Sequence, residues 1–304
     1  MGNTDWRISM DPTLKSKTTA ALKDEITHLS PQLRMAAKYV IDHPSDFGLD
    51  PIRETARKAH VSTYTLVNMA KHMGFSGYED FREPFRHALV SGSNTSSEPD
   101  WLGDFRDESE LGPVFADAVK NTMSIVTNSL QRQQIEGLKA AAEALQAADT
   151  VYLTAVRSSY AMAYYLHYVG RMALPSLQLI PRHMNSAIDD LIHAKPGDML
   201  IAITVTPYSR ETVEACKFAK AKGVKLLLIT DSEVVSPDFT PEFTLVASVL
   251  STHNFGCYSG MMAVIESLIS ILMHRGGDEA RARIKSYETL RKENNAYWVP
   301  QKKH

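Results

Sequence analysis

The stretch IAITVTPYSRETVEACKFAKAKGVKLLLITD, Ile201–Asp231, decides how the second half of this chain folds. It opens on an apolar run and breaks into hydroxyls at Thr204, Thr206, Ser209 and Thr212. It then turns helical over Arg210–Lys222 and returns to a second apolar run, Lys225–Thr230. Runs this continuously apolar read as strands buried on both faces. A helix between two such strands is the crossover of a parallel sheet. Working outward, similar runs near Val151–Ala155, Leu177–Ile180, Met199–Thr204 and Phe243–Ala247 complete five strands. The expectation is a parallel five-stranded sheet between two helical layers, an α/β three-layer sandwich. In such sheets ligands sit at the carboxyl ends of the strands, which is where the hydroxyls fall.

Composition bounds the rest. With 304 residues the chain has the length of two domains. Its 44% hydrophobic and 22% charged residues are an ordinary globular mixture. Cys216 and Cys257 are too few for a disulfide framework, and no zinc spacing of Cys and His occurs. No metal and no cofactor is expected. The first residues, MGNTDWRISMDPTLKSKT, lack the apolar core of a signal peptide, and Trp6 stands where a myristoylation signal needs a hydroxyl. Without an apolar run of about 18 residues, no membrane partner is expected and a cytoplasmic location is. The net charge of −2 argues against a strongly basic nucleic-acid binder; residues 1–90 carry 12 Lys+Arg against 11 Asp+Glu. Charge leaves a DNA-binding unit open without arguing for one.

The run SGSNTSSEPDWLG, Ser91–Gly103, is rich in Ser, Gly and Pro and reads as a linker. Three segments follow: an all-α domain over 1–90, a linker over 91–111 and the α/β domain over 112–304. In the first, Ser30-Pro31 and Asp50-Pro51 each place a capping oxygen before a proline at a helix start. Ser62 caps a further helix that runs to about Met73 and ends at Gly74. Helix, short turn, helix is the pattern, with Ile52, Ala56, Ala59, Val61, Leu66, Ala70 and Met73 facing inward. Left outside are Thr63, Tyr64, Thr65, Asn68, Lys71 and His72, with the hydroxyls crowding the helix start, where a recognition helix meets base edges. Ser62, Thr63, Tyr64, Thr65 and Asn68 are therefore candidate contacts to bases, and Arg53, Arg57, Lys58 and Lys71 to phosphates. A plain helical bundle would show similar turns and alanines.

The segment SPQLRMAAKYVIDHP…IRETARKAHVSTYTLVNMAKHMGFSGYEDFREPF resembles the N-terminal domain of RpiR/MurR-type bacterial transcriptional regulators. Its tail, MAKHMGFSGYEDF, is similar to that family's A-K-x-L-G-F-x-G-[YF]-x-x-F signature. His60 stands where the family usually has a turn glycine, and Asn68 where it often has a basic residue. A His tolerates the left-handed turn. The resemblance implies a double-stranded DNA operator as partner and a helix-turn-helix fold.

Two strand ends carry candidate ligand groups. After the first strand come Arg157, Ser158 and Ser159, and after the third Thr204, Thr206, Ser209 and Thr212, each set opening a helix. Hydroxyls and backbone N–H groups at a helix start favour an anion, and Arg157 adds a charge-assisted clamp. Taken singly, each Ser or Thr also serves as an ordinary cap. The Ile201–Asp231 stretch is similar to the sugar isomerase (SIS) domain, a flavodoxin-like fold that the same regulator family carries C-terminally. That domain's phosphate loop reads S-x-S-G-x-T-x-[DE]-T; here Pro207 replaces its Gly, and in RSSYAMA Arg157 replaces the glycine of the first loop. The resemblance covers about residues 20–90 and 115–275. It implies a phosphorylated sugar effector. One helix-turn-helix covers too few base pairs for useful specificity, so a homodimer or homotetramer is expected, with movement carried by the helices of Gly112–Ala147. An aldose–ketose isomerase would need a base, for which Glu211, His253 and Glu266 are the candidates. None forms a dedicated catalytic constellation, so no enzyme is expected and His253 is read as a ligand contact. A regulator with a degenerate pocket is the remaining alternative.

Overall fold

The computed structural model describes residues 14–91, 100–183, 185–253 and 255–298. They form two compact units: the described residues up to Asp100 together with Ser232–Asp238, and the remainder.

The first unit is helical: α1 (Leu14–Glu25), α2 (Pro31–Asp42), α3 (Pro44–Leu49), α4 (Ile52–Lys58), α5 (Thr63–His72) and α6 (Tyr78–Ser91). Its core is aromatic. Phe47 of α3 packs edge-on against Tyr78, Phe81 and Phe85 of α6, with ring centroids 5.6, 5.0 and 5.0 Å away. The alanines sit where two helices must cross closely: Ala56 of α4, Ala59 of the turn and Ala70 of α5 are all buried. Leu66 and Met69 fill the same core.

Helix starts differ from the expectation at both prolines. Pro31 does open α2 after Ser30, but the Ser30 side chain caps nothing. Asp50 does not precede the first residue of α4, since the helix begins at Ile52 with Pro51 in the capping position. Asp50 instead ends α3, pairs with Lys58 at 2.8 Å, and accepts Arg82 at its carbonyl at 2.7 Å. A carboxylate held by a lysine has no reason to turn toward the helix amides.

The second unit adds α7 (Asp100–Glu108), α8 (Gly112–Gln131), α9 (Ile135–Ala147), β1 (Val151–Thr154), α10 (Ser159–Gly170), β2 (Leu177–Ile180), α11 (Ala187–Asp190), a 3₁₀ turn (Leu191–His193), β3 (Met199–Ile203), α12 (Arg210–Ala221), β4 (Lys225–Thr230), β5 (Phe243–Val246) and α13 (Ser259–Glu293). The five strands are all parallel in the order β2-β1-β3-β4-β5. Alternate residues Val151, Leu153, Ile201, Ile203, Leu227 and Ile229 share one core with Leu138 and Leu145 of α9, Leu166 of α10 and Leu268 of α13. The other face carries α11 and α12, with α12 packed on β3 and β4. The expected linker, 91–111, falls partly on 92–99, outside the described residues. Its C-terminal part is helical instead: Leu102 of α7 is fully buried, Trp101 packs edge-on against Phe105, and Phe105 lies tilted against Phe115. Its serines and its one proline hide an amphipathic helix that belongs to the second unit.

Helices α8 and α13 meet at Gly260. A Cβ there would lie 2.2 Å from the Ser129 hydroxyl and 2.9 Å from the Ser248 carbonyl. That buried hydroxyl donates to the Ile125 carbonyl at 2.6 Å and accepts the Ser248 N–H at 2.8 Å. No helix among the described residues is long and apolar enough to cross a membrane.

Candidate functional site

Because every strand is parallel, all carboxyl ends open on one edge of the sheet. The order β2-β1-β3 makes β1 the strand where the winding direction reverses, the usual ligand crevice. A cavity of about 720 Å³ occupies that place. Thr154, Val156 and Arg157 line it from behind β1, and Pro207–Glu211 with Glu214 from behind β3. Pro181 and Asn185–Ile188, behind β2, close the third side.

The loop after β3 is built by its own hydroxyls. Thr204 is buried and its Oγ1 accepts the Ser209 N–H at 3.4 Å, which folds the loop back to the start of α12. The Thr206 N–H donates to the Asp231 carboxylate at 3.2 and 3.1 Å, so the end of β4 fixes the tip. Ser209 occupies the N-cap position but caps no amide; its hydroxyl donates to Glu211 at 2.5 Å. Arg157 reaches across from β1. Its Nη1 donates to Ser209 Oγ at 3.0 Å and to Glu211 Oε2 at 3.3 Å, and its Nη2 lies 3.5 Å from Oε1. To do so Arg157 holds φ +55°, a left-handed backbone that a non-glycine residue rarely adopts and that marks functional sites more often than others. The Ser209 hydroxyl, the Glu211 backbone N–H and the Arg157 guanidinium together hold the Glu211 carboxyl down to about 2.

Of the sequence candidates, Arg157 and Ser209 meet at the cavity. Ser158 and Ser159 start α10, but their hydroxyls engage the Tyr258 phenol at 2.7 and 3.2 Å. Thr212 is buried, and its Oγ1 has no hydrogen-bond partner among the described residues. Thr204 and Thr206 shape the loop without lining the cavity. His253 does not line it either: it lies exposed beside Ser251, whose hydroxyl is 3.1 Å from its Nδ1. The sequence reading missed the whole third wall. There Arg182 binds the Asp190 carboxylate through its N–H at 2.8 Å and its Nε at 2.9 Å. Burial raises the Asp190 carboxyl, but these bonds outweigh it and hold it low. Ser186 and Asp189 close a reciprocal capping box on α11. The missed signal was the short S-A-I-D segment after the second strand, a capping pattern at a third strand end.

In the helical unit, α4 and α5 are joined by a turn in which His60 takes the left-handed conformation, φ +54°. Ser62 caps α5 by accepting the Thr65 N–H at 3.1 Å. Thr65 is a correction: it is buried, with its hydroxyl 2.9 Å from Ser62 Oγ, so it faces the cap and not outward. Thr63 and Tyr64 are exposed, Tyr64 at 73%, and Asn68 is half-buried. Among the basic candidates, Lys58 is tied to Asp46 and Asp50 at 3.0 and 2.8 Å, and Arg57 to Glu54 at 2.9 and 2.5 Å. Arg53 and Lys71 are exposed.

A helix-turn-helix unit followed by a parallel sheet with a strand-end cavity defines the class. The SIS domain model matches residues 144–237, from the end of α9 to beyond β4. The sugar isomerase domain of an RpiR transcription factor from Sphaerobacter thermophilus superimposes with a TM-score of 0.55 at 25% identity, covering 59% of this chain and 99% of that one. The Vibrio vulnificus NanR protein, solved with ManNAc-6P, shares the fold at 17% identity and a TM-score of 0.54, over 91% of this chain and 98% of its own. An HTH-type transcriptional regulator of Caldanaerobacter subterraneus is 20% identical over 69% of this chain and 73% of its own length. Over residues 144–237 the chain matches the SIS domain, and it is similar to RpiR-type and other HTH-type regulators. It is also 25% identical over 246 residues to the bifunctional protein glk of Burkholderia orbicola, covering 81% of this chain and 36% of that protein. The chain thus spans about a third of the length of the glk-named relatives it matches.

Proposed function

We propose that this protein is a DNA-binding transcriptional regulator whose SIS domain senses a phosphorylated sugar or a related metabolite. The observation that carries the reading is the meeting of Arg157 and Ser209 at a strand-end cavity of about 720 Å³, room enough for a sugar phosphate. The N-terminal unit supplies the second half of the reading, through the exposed Thr63 and Tyr64 at the start of α5. One helix-turn-helix covers too few base pairs for useful specificity, so a homodimer or homotetramer on paired half-sites fits the role, and a cytoplasmic location fits an operator partner. Effector binding would favour one arrangement of the subunits by about 1–3 kcal/mol, which suffices for a switch. The relatives named as HTH-type regulators support this assignment.

The test is a thermal-shift panel of phosphorylated sugars beside their unphosphorylated counterparts. A ligand that binds only the folded protein must raise its melting temperature. Stabilisation confined to phosphorylated members is expected; no stabilisation by any member overturns the effector assignment.

A further inference from the structure

We propose that Glu211 is an internal counter-anion that guards the hydroxyl loop, so that an external anion is admitted only if it takes Ser209 and Arg157 away from this carboxylate. The inference rests on the phosphosugar reading of the cavity and assigns the selectivity of that site. Two groups that suit a phosphate, the Ser209 hydroxyl and the Arg157 guanidinium, are both already engaged with one carboxylate, at 2.5 and 3.3 Å. An anion arriving at those groups meets a like charge at contact distance, which opposes binding. The carboxyl is held down to about 2, so it stays ionised throughout the physiological range and does not yield by taking a proton.

Displacement has a route. The Glu211 side chain is 59% exposed, so it can turn outward into water once its two partners are taken. A bare phosphate ion brings nothing beyond the loop contacts and must displace Glu211 on those alone. A sugar phosphate also fills the cavity toward Thr154, Asn185 and Tyr208, and those contacts supply what the loop withholds. The residue thereby separates the effector from inorganic phosphate, an anion present in every cytoplasm. Its placement at the start of α12, where a carboxylate is favoured by the helix dipole, also admits a purely structural role. The test must distinguish the two.

Inorganic phosphate is titrated calorimetrically against the full-length wild type, Glu211→Gln and the double variant Glu211→Gln/Ser209→Ala, at constant ionic strength. Glu211→Ala is run beside them in case the Gln side chain alters the local fold. The same proteins are screened with the phosphosugar panel. The expected result is phosphate binding at least about tenfold tighter in Glu211→Gln than in the wild type, and its loss in the double variant. Equal and measurable phosphate binding by wild type and Glu211→Gln overturns the guarding role and leaves the anion loop standing. Phosphate refused by every variant while a phosphosugar binds also overturns it, because something other than Glu211 then excludes the ion. If neither phosphate nor any phosphosugar binds, both the guarding role and the effector assignment fall.

Discussion

Replacing Arg157 by glycine should separate stability from ligand binding. At φ +55° a side chain with a Cβ is strained by about 1–2 kcal/mol, and glycine relieves that. Glycine gives back up to about 1 kcal/mol through the greater freedom of the unfolded chain. The lost pairing with Glu211 adds little, because the two side chains are 68% and 59% exposed and solvent screens them. Stability should therefore stay within about 1 kcal/mol of the wild type, on either side. Ligand affinity should not. A guanidinium bond to a phosphate contributes about 1.5–3 kcal/mol, so Arg157→Gly should bind a phosphorylated effector roughly ten- to hundredfold more weakly. Urea unfolding and calorimetric titration of the same preparations check both halves. A variant destabilised by more than about 2 kcal/mol with unchanged affinity would make Arg157 a structural residue and refute the reasoning.

Four other substitutions probe the frame and the loop. Ser62→Ala removes the acceptor of the Thr65 N–H at 3.1 Å and should cost about 1 kcal/mol, with faster hydrogen exchange at the Thr65 amide; an unchanged rate would mean the cap is not formed in solution. Gly260→Ala pushes a Cβ to 2.2 Å from the Ser129 hydroxyl and threatens its bond to the Ser248 N–H, for a loss of about 2–4 kcal/mol in urea unfolding. In a cycle with Ser129→Ala the two losses should be less than additive, since both break the same bonds. Glu211 titrates near 2 in the folded protein against 4.5 in the unfolded chain, so its contribution is fully present above 4.5 and is lost as pH falls toward 2. The melting-temperature gap between wild type and Glu211→Gln should accordingly narrow over that window, and a gap independent of pH would argue against the ionised pairing.

The sheet was legible because strands buried on both faces must be apolar throughout. Leu226–Ile229 and Met199–Ile203 leave no alternation to confuse, and each observed strand lies within a residue of its expected end. The helix α7 was hidden by its neighbours: Leu102 and Phe105 follow a Ser- and Pro-rich run, and composition outweighs a single buried leucine. At the site, Arg157 and Ser209 stood out as a charge and a hydroxyl just past apolar runs. The wall behind β2 did not, because its nearness depends on strand order. That order is set by which sheet edges meet in three dimensions; the capping pattern at Ser186 and Asp189 marks a helix start but not that it faces this cavity. Thr65 is different, since the sequence contained its answer. With Ser62 as the cap, Thr65 falls at the third helical position, the amide a capping serine seeks, and its side chain turns to the cap with it.

The strongest perturbation in the cavity also bears on whether it moves protons. An aldose–ketose isomerisation is served best by a base whose affinity for a proton lies near the working pH. Such bases are made by burial or by a neighbouring like charge, which raise a carboxyl. Glu211 is treated in the opposite way while the loop holds it: a hydroxyl, an amide and a guanidinium all stabilise its charge and hold it at about 2. His253 stands outside the cavity, and Glu266 of α13 is bonded to the Tyr165 hydroxyl and lines no part of it. A sensor has no need of a base. It needs an anion site that is occupied only by the right anion, and a carboxylate kept ionised beside Arg157 and Ser209 fits that requirement. Measuring solvent-proton exchange into a bound ketose phosphate separates the two cases directly: exchange above the background rate would place a base in this cavity and count against a purely sensory site.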